Sequence, residues 1–263
     1  MSTSTRHFIL FRDIPLMYGR VPKVANSSIK ASLCKLLSQK PDGGIKTTAD
    51  RFWRKNTHEE TKLITTEQAR RLRATHFSFS FVRNPFDRLV AAYNNKIMEN
   101  EDVPSPMKQM GLYHAMPFKE FIDLVCKADP SDMDNHIRPQ AEIIITNKKI
   151  VPKFVGRMEH IDDHWKRLRK RMQLEGLPIL GPLPQKNIRR DNRKDIRYYF
   201  DTSALIDQVL ERYALDIKKF YGDYSIDKLI IGEHLEKKPP LQRGVEKTKR
   251  RLNTQTIIEP DET

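Results

Sequence analysis

Apolar positions along the chain follow two alternating rhythms. Short apolar runs at "HFILF" (7–11), "PLMYGRV" (15–21), "HFSFSFV" (76–82) and "KFVGRM" (153–158) have the length and composition of strands. Between them the period becomes helical. Ile29, Leu33, Leu36 and Leu37 share one face of a helix over 27–38. Thr65 and Gln68 have the spacing of a capping box opening "TEQARRLRA", and Pro85 after Asn84 is well placed at the first turn of "FDRLVAAYNNKIM". Further helical patterns cover 117–127, 160–174 and 202–220, whereas 40–62 and 98–116 are polar and irregular and predict long loops. Strands alternating with helices predict an α/β fold around a mostly parallel sheet.

From Gly232 onward the pattern ends, in "EKKPPLQRGVEKTKRRLNTQTIIEPDET", where large apolar residues are scarce. The expected organisation is a single domain over 1–231 and a charged, disordered tail over 232–263.

Charge narrows the class. Lys and Arg number 48 against 34 Asp and Glu, a net +14, so the partners expected are polyanions: nucleic acid, anionic lipid, nucleotides or acidic glycans. Cys34 and Cys126 both fall in amphipathic stretches and read as reduced core residues. The N-terminus "MSTSTRHFILFRDIPL" has no long apolar signal region and no stretch approaches a membrane span, so a soluble, cytoplasmic chain is expected.

Two stretches carry candidate chemistry. In "PLMYGRVPKVANSSIKASL" a strand ends in a turn and a helix follows, so the first backbone N–H groups of that helix and its dipole can receive an anion. Ala25, Asn26, Ser27 and Ser28 are small enough to admit a phosphate, and Lys23 precedes them. An ordinary turn capped by Asn26 or Ser27 reads equally well. The loop is neither a Walker A motif nor a dinucleotide fingerprint. In "FSFSFVRNPFDRLVAAYNNKI" Arg83 ends a strand and Arg88 follows on the next helix, a pair suited to phosphate or, as the plainer reading, to surface ion pairs such as one with Asp87.

Together these segments resemble the sulfotransferase superfamily, most closely the carbohydrate sulfotransferases of the chondroitin 4-O and HNK-1 type. "VPKVANSSIK" resembles that family's 5′-phosphosulfate loop, and "FVRNPFDRLVAAYNNK" its 3′-phosphate motif, R-x-P-x-x-R-L-x-S-A-Y. "DNHIRPQAEI", "KFVGRMEHIDD" and "IRYYFDTSALIDQVLERYALDIKKFY" resemble later family segments in the same order, so the likeness runs over about residues 15 to 222. It implies a P-loop-like three-layer α/β fold and transfer of a sulfuryl group from 3′-phosphoadenosine 5′-phosphosulfate to a hydroxyl of a carbohydrate acceptor. It also implies nucleotide contacts from Lys23, Val24, Ala25, Asn26, Ser27, Ser28, Ile29, Arg83, Arg88 and the residue at 91. There the family has Ser and this chain has Ala91, which removes one hydroxyl contact, worth ~1 kcal/mol. The family's Golgi members carry a membrane anchor and lumenal cysteines; this chain resembles their catalytic domain alone.

Sulfuryl transfer asks for fixed positive groups at the leaving phosphate and a base for the acceptor hydroxyl. Lys23 suits the first task. His136 in "DNHIRPQ" matches the family's D-x-H-x-x-P-Q segment and is the candidate base, with Asp134 as its orienting partner. His76, His160 and His164 read as structural; Glu159 reads either as an acceptor contact or as a buried ion-pair partner. In "PQKNIRRDNRKDIRYYF", Lys186, Arg190 and Arg193 are candidates for a segment closing over the nucleotide. No EF-hand loop, H-E-x-x-H motif or Cys/His cluster occurs, and no metal is expected. The basic helix "HWKRLRKRM" reads as a solvated face over the core stripe Trp165, Leu168 and Met172. A nucleic-acid-binding protein, suggested by charge, lacks any recognisable binding signature. An inactive nucleotide-binding relative is a further alternative, raised by Ala91.

Overall fold

The structure is a computed structural model and describes residues 5–41, 43–184 and 196–231. The tail beginning at Gly232 lies outside the described residues. Among those described, the strands are β1 (Phe8–Phe11), β2 (Leu16–Gly19), β3 (Thr61–Ile64), β4 (Phe77–Val82), β5 (Ile145–Thr146), β6 (Lys149–Ile150) and β7 (Phe154–Arg157). Five of them form one sheet in the order β3-β1-β2-β4-β7, and β5 and β6 make a separate two-stranded ladder. β1 is antiparallel to both β2 and β3, while β2–β4 and β4–β7 are parallel. β1 therefore runs against the other four, and the C-terminal ends of β2, β4 and β7 share one edge. In open α/β sheets ligands bind beyond that edge.

The strand residues of β1, β2 and β4 are all buried. β4 reads "FSFSFV", an alternation that usually marks a half-exposed strand. Here both faces are covered and the serines bond to backbone: Ser80 Oγ donates to the Gly19 carbonyl at 2.8 Å and Ser78 Oγ to the Val151 carbonyl at 3.3 Å. Hydrogen bonding is what permits buried hydroxyls in such a core. β4 and β7 approach closely at Gly156, where a Cβ would lie 2.3 Å from the Phe81 ring. That ring also packs on Trp165, with centroids 6.0 Å apart.

The helices are α1 (Asn26–Leu33), α2 (Asp50–Lys55), α3 (Thr66–Arg71), α4 (Pro85–Tyr93), α5 (Ser105–Gln109), α6 (Phe118–Lys127), α7 (Gln140–Ile144), α8 (Ile161–Leu174), α9 (Ile196–Tyr199), α10 (Ser203–Arg212), α11 (Ala214–Phe220) and α12 (Ile226–Ile231). The Thr65–Gln68 capping box forms in both directions at α3. Asn84 Oδ1 accepts from the Phe86 N–H and Pro85 opens α4, as the sequence pattern predicts.

Several expectations are corrected. The 40–62 segment is not plain loop: it holds α2 and runs into the edge strand β3, whose four residues are too short a signal to separate from their polar surroundings. The 98–116 segment holds α5. The helix over 27–38 is α-helical only to Leu33 and closes in a 3₁₀ turn, Cys34–Leu36. The helix over 202–220 is two, α10 and α11, broken at Tyr213 with φ −106° and ψ 20°. The break seats the buried Tyr213 hydroxyl on the Ile137 carbonyl, a tertiary contact that overrides helical propensity. Past Tyr93, α4 continues as a π-helical turn, Asn94–Met98. Such turns recur at functional sites.

Candidate active site

The loop after β2 takes an unusual path. Lys23 and Ala25 have φ values of 69° and 59°, and Val24 between them is not in the left-handed region. For residues with a Cβ this conformation is costly, and alternating signs of φ curl successive main-chain N–H groups toward one side. Ala25 is the N-cap of α1 and contributes no capping side chain. Asn26 does not cap either; its Oδ1 accepts from the Tyr18 hydroxyl at 3.0 Å. The plainer reading of this loop, a turn capped by Asn26 or Ser27, does not describe it. Lys23, Ala25, Asn26 and Ser27 are half-buried, while Val24, Ser28 and Ile29 are buried. Lys23 Nζ donates to Asn95 Oδ1, in the π-helical turn.

Arg83 lies just past the end of β4, and its Nη1 donates to the Lys23 carbonyl at 3.1 Å. The two expected phosphate-binding turns thus meet at the C-terminal edge of neighbouring strands. Arg83 is 6% exposed, and its Nε donates to Asp87 Oδ2 at 2.7 Å, so the Asp87 ion pair forms, but buried rather than on the surface. Burial pulls the Arg83 pKa down, yet the neighbouring carboxylates of Asp87 and Glu159 outweigh it and hold the net shift upward.

Arg88 is turned inward. At 1% exposure it donates from Nε to the Pro22 carbonyl (3.1 Å), from Nη1 to the Arg138 carbonyl (2.8 Å) and from Nη2 to the Asn135 carbonyl (2.9 Å). A single guanidinium therefore ties the Lys23 loop to the His136 segment. Its rigid fork is what allows one side chain to hold carbonyls from two loops. Ala91 is on the next turn of α4 and is 9% exposed.

His136 Nδ1 sits 2.7 Å from Asp134 Oδ1, which also accepts the His136 backbone N–H at 2.8 Å. Burial would raise the Asp134 carboxyl, but its bonds to His136 hold it below the ordinary value. An ionised carboxylate only accepts, so the ring proton is on Nδ1 and Nε2 is left as the basic nitrogen. Burial lowers the His136 pKa; Asp134 opposes that, and the charges of Lys96 and Lys23 reinforce it. The ring is thus neutral near pH 7 and lies within the field of Lys23.

A buried polar frame supports this edge. Glu159, after β7, accepts the Asn84 N–H at Oε1 (2.5 Å) and the Tyr221 hydroxyl at Oε2 (3.0 Å), and burial raises its pKa. Gln140 accepts the Arg83 N–H at 2.9 Å and returns a donor to the Arg83 carbonyl at 2.7 Å. Asp216 accepts the N–H groups of Gln140 and Ala141 at 2.8 and 2.6 Å, capping α7. A carboxylate at a helix N-terminus satisfies donors that would otherwise be orphaned.

Residues 6–224 match the sulfotransferase family. The chain belongs to that family. It is 25% identical over 240 residues to Carbohydrate sulfotransferase 14 of Mus musculus, an alignment covering 83% of this chain and 60% of that protein. The chain thus spans about 60% of the length of this curated relative. No solved structure matches. Among the described residues, no helix is long and apolar enough to cross a membrane, and no group of three or more His, Cys, Asp or Glu side chains is placed to hold a metal ion.

Within this member of the family, Arg83 meets the Lys23 carbonyl, and Arg88 links the Pro22 carbonyl to those of Asn135 and Arg138, the residues flanking the His136 turn. Glu159 holds a turn in place through Asn84 and Tyr221. His76 precedes β4 and pairs with Thr75 Oγ1; His160 pairs with the Tyr224 hydroxyl, and His164 accepts the Arg157 N–H. Lys186, Arg190 and Arg193 lie outside the described residues. Sequence reasoning missed Asn95, Gln140 and Asp216. Gln140 closes the "DNHIRPQ" segment and Asp216 lies in the later family-like segment, but nothing local marks their bonds to Arg83 and to the start of α7, more than fifty residues away. Asn95 had a signal, as it stands one helical turn past Ala91.

Proposed function

We propose that the chain is a carbohydrate O-sulfotransferase using 3′-phosphoadenosine 5′-phosphosulfate. The observation that carries this reading is the convergence of Lys23, Arg83 and the neutral His136–Asp134 pair through the contacts of Arg88, in a member of the sulfotransferase family. The residues suit the nucleotide: a lysine and a curled loop precede an α1 N-terminus without a capping side chain, with a guanidinium beside them. When bound, the donor supplies the sulfuryl group and a bisphosphate leaving group. Lys23 and the first N–H groups of α1 hold the 5′ end and meet charge developing there with preorganised donors; the Ile29 N–H, expected among them, is instead bonded to the Ala25 carbonyl at 3.0 Å. Arg83 faces the 3′-phosphate with Ala91 beside it, and Arg88 acts as a positioning residue for both loops. His136 Nε2 takes the proton of the acceptor hydroxyl, and Asp134 holds the ring in the tautomer that can do so.

The uncharged ring near pH 7 supports this assignment, because a base must start unprotonated. A carbohydrate acceptor is supported by the mouse relative's name, and the net charge of +14 suits an anionic donor. The nucleic-acid alternative has no comparable support. The test incubates the purified chain with the phosphosulfate donor and a glycan panel, followed by mass spectrometry for added sulfate. Transfer to any glycan establishes the activity. Failure of adenosine 3′,5′-bisphosphate to bind in calorimetry would overturn the nucleotide assignment.

A further inference from the structure

Lys23 is held at both ends. Its carbonyl accepts from Arg83 Nη1 at 3.1 Å, and its ammonium donates to Asn95 Oδ1. The residue stands in the left-handed region, with φ 69°, so one uncommon backbone conformation sets where its side chain leaves the loop. A lysine side chain is a flexible four-carbon stem ending in a point charge. A partner at its tip removes that freedom before a nucleotide arrives.

The Asn95 amide is itself oriented. Its Nδ2 donates to Glu99 Oε2 at 3.3 Å. An ammonium only donates and a carboxylate only accepts, so both neighbours require the amide the same way round, with Oδ1 toward Lys23. An amide oxygen also accepts this bond without cancelling the charge of the ammonium, which a carboxylate in its place would do.

The turn that carries Asn95 is braced on either side. Asn94 exchanges two hydrogen bonds with the Tyr199 hydroxyl of α9, at 3.0 and 3.1 Å. Ile97 is fully buried, and its carbonyl accepts the Ala115 N–H at 2.9 Å. The Glu99 N–H reaches the Asn94 carbonyl at 3.1 Å, in the i→i+5 pattern of a π-helix. This wider winding carries the side chains after Tyr93 away from the places that a continued α4 would give them, and Asn95 meets Lys23 from there.

We propose that Asn95 is a positioning residue for Lys23: it aims the ammonium at the 5′-phosphate of the nucleotide and keeps it charged there. The proposal rests on the nucleotide assignment made above. Donors fixed in advance stabilise developing charge because they need not reorient as the reaction proceeds. Adenosine 3′,5′-bisphosphate is the leaving group of the transfer, so its affinity reads the contact that Lys23 makes.

The test is calorimetry on the full chain, Asn95→Ala, Lys23→Ala and the double variant. The ligands are adenosine 3′,5′-bisphosphate and adenosine 3′-phosphate, which lacks the 5′ group. Asn95→Ala should bind the bisphosphate several-fold more weakly and the 3′-phosphate as the parent does. In the Lys23→Ala background the same substitution should change bisphosphate affinity by no more than about twofold, because a residue acting through another has nothing left to act on. Should Lys23→Ala bind too weakly to measure, the ratio of the two affinities in Asn95→Ala decides. Asn95→Leu keeps the side-chain volume and repeats the measurement if the alanine variant unfolds. Parent affinity in the Asn95 variants, an equal loss for both nucleotides, or a loss that persists without Lys23 overturns the proposal. An unmodified chain that binds neither nucleotide overturns the nucleotide assignment, and this proposal with it.

Discussion

Replacing Arg88 by Met separates a bracing role from a ligand contact. Met keeps the length and helix propensity of the side chain while removing the guanidinium. Three hydrogen bonds to carbonyls of Pro22, Asn135 and Arg138 are lost. Bonds to charged groups contribute about 1.5–3 kcal/mol each, or roughly 4.5–9 kcal/mol together. Against this, the variant no longer buries a cation, a cost of several kcal/mol. Pro22, Asn135 and Arg138 are half-buried, so water can reach some of the orphaned carbonyls. The expected net loss is about 2–4 kcal/mol, or roughly 5–15 °C in Tm for a domain of this size. Urea unfolding followed by circular dichroism measures it, with calorimetry of adenosine 3′,5′-bisphosphate alongside. At temperatures where the variant is folded, kcat should fall by up to about 10²-fold, since the Lys23 and His136 loops lose their common anchor. Stability within about 0.5 kcal/mol of the parent, with bisphosphate affinity down tenfold or more, would refute this reasoning and make Arg88 a phosphate ligand.

Four further outcomes are expected. Lys23→Ala should lower transfer by about 10²–10³-fold with little change in Tm, because a half-buried loop lysine packs little; full activity would remove it from the mechanism. A His136 base must be neutral, and burial holds its pKa below the ordinary 6.5, so the acid limb of kcat/KM should have its midpoint below pH 6.5. Asp134→Asn removes a carboxylate that raises this pKa, so the acid limb should move lower still while the plateau falls; a limb at or above 6.5 in the parent contradicts the assignment. Ala91→Ser should tighten adenosine 3′,5′-bisphosphate by up to ~1 kcal/mol and leave adenosine 5′-phosphate unaffected, as read by calorimetry. Gly156→Ala drives a Cβ into the Phe81 ring, at 2.3 Å, and should cost about 1–3 kcal/mol in urea unfolding; an unchanged midpoint would mean that the ring moves aside freely.

The sequence by itself determined the class of fold, the order of its main elements and the family. Strand runs such as "HFILF" and "HFSFSFV", the Thr65–Gln68 capping box and the Asn84–Pro85 helix start are local signals, set by side-chain periodicity and by hydrogen bonds within a few residues. They survive in the tertiary structure because each is satisfied where it stands. Lys23, Arg83 and His136 stand out along the chain for a related reason, since they occur in segments that resemble family motifs.

Only the tertiary structure decided what those residues touch. Arg83 and Arg88 look alike along the chain, but burial separates them: one borders the Lys23 loop and pairs with Asp87, the other is spent on three carbonyls. Tyr213 breaks a continuous helical pattern because its hydroxyl must reach Ile137, a partner seventy-six residues away. The edge strand β3 escaped notice because its ladder with β1 supplies the hydrogen bonds that its four residues cannot signal alone. Gln140, Asp216 and Asn95 acquire their parts in the same way, through partners far away in sequence. Local preferences are fixed by neighbours in the chain. The site is fixed by contacts whose loop-closure cost is met only when the whole core forms.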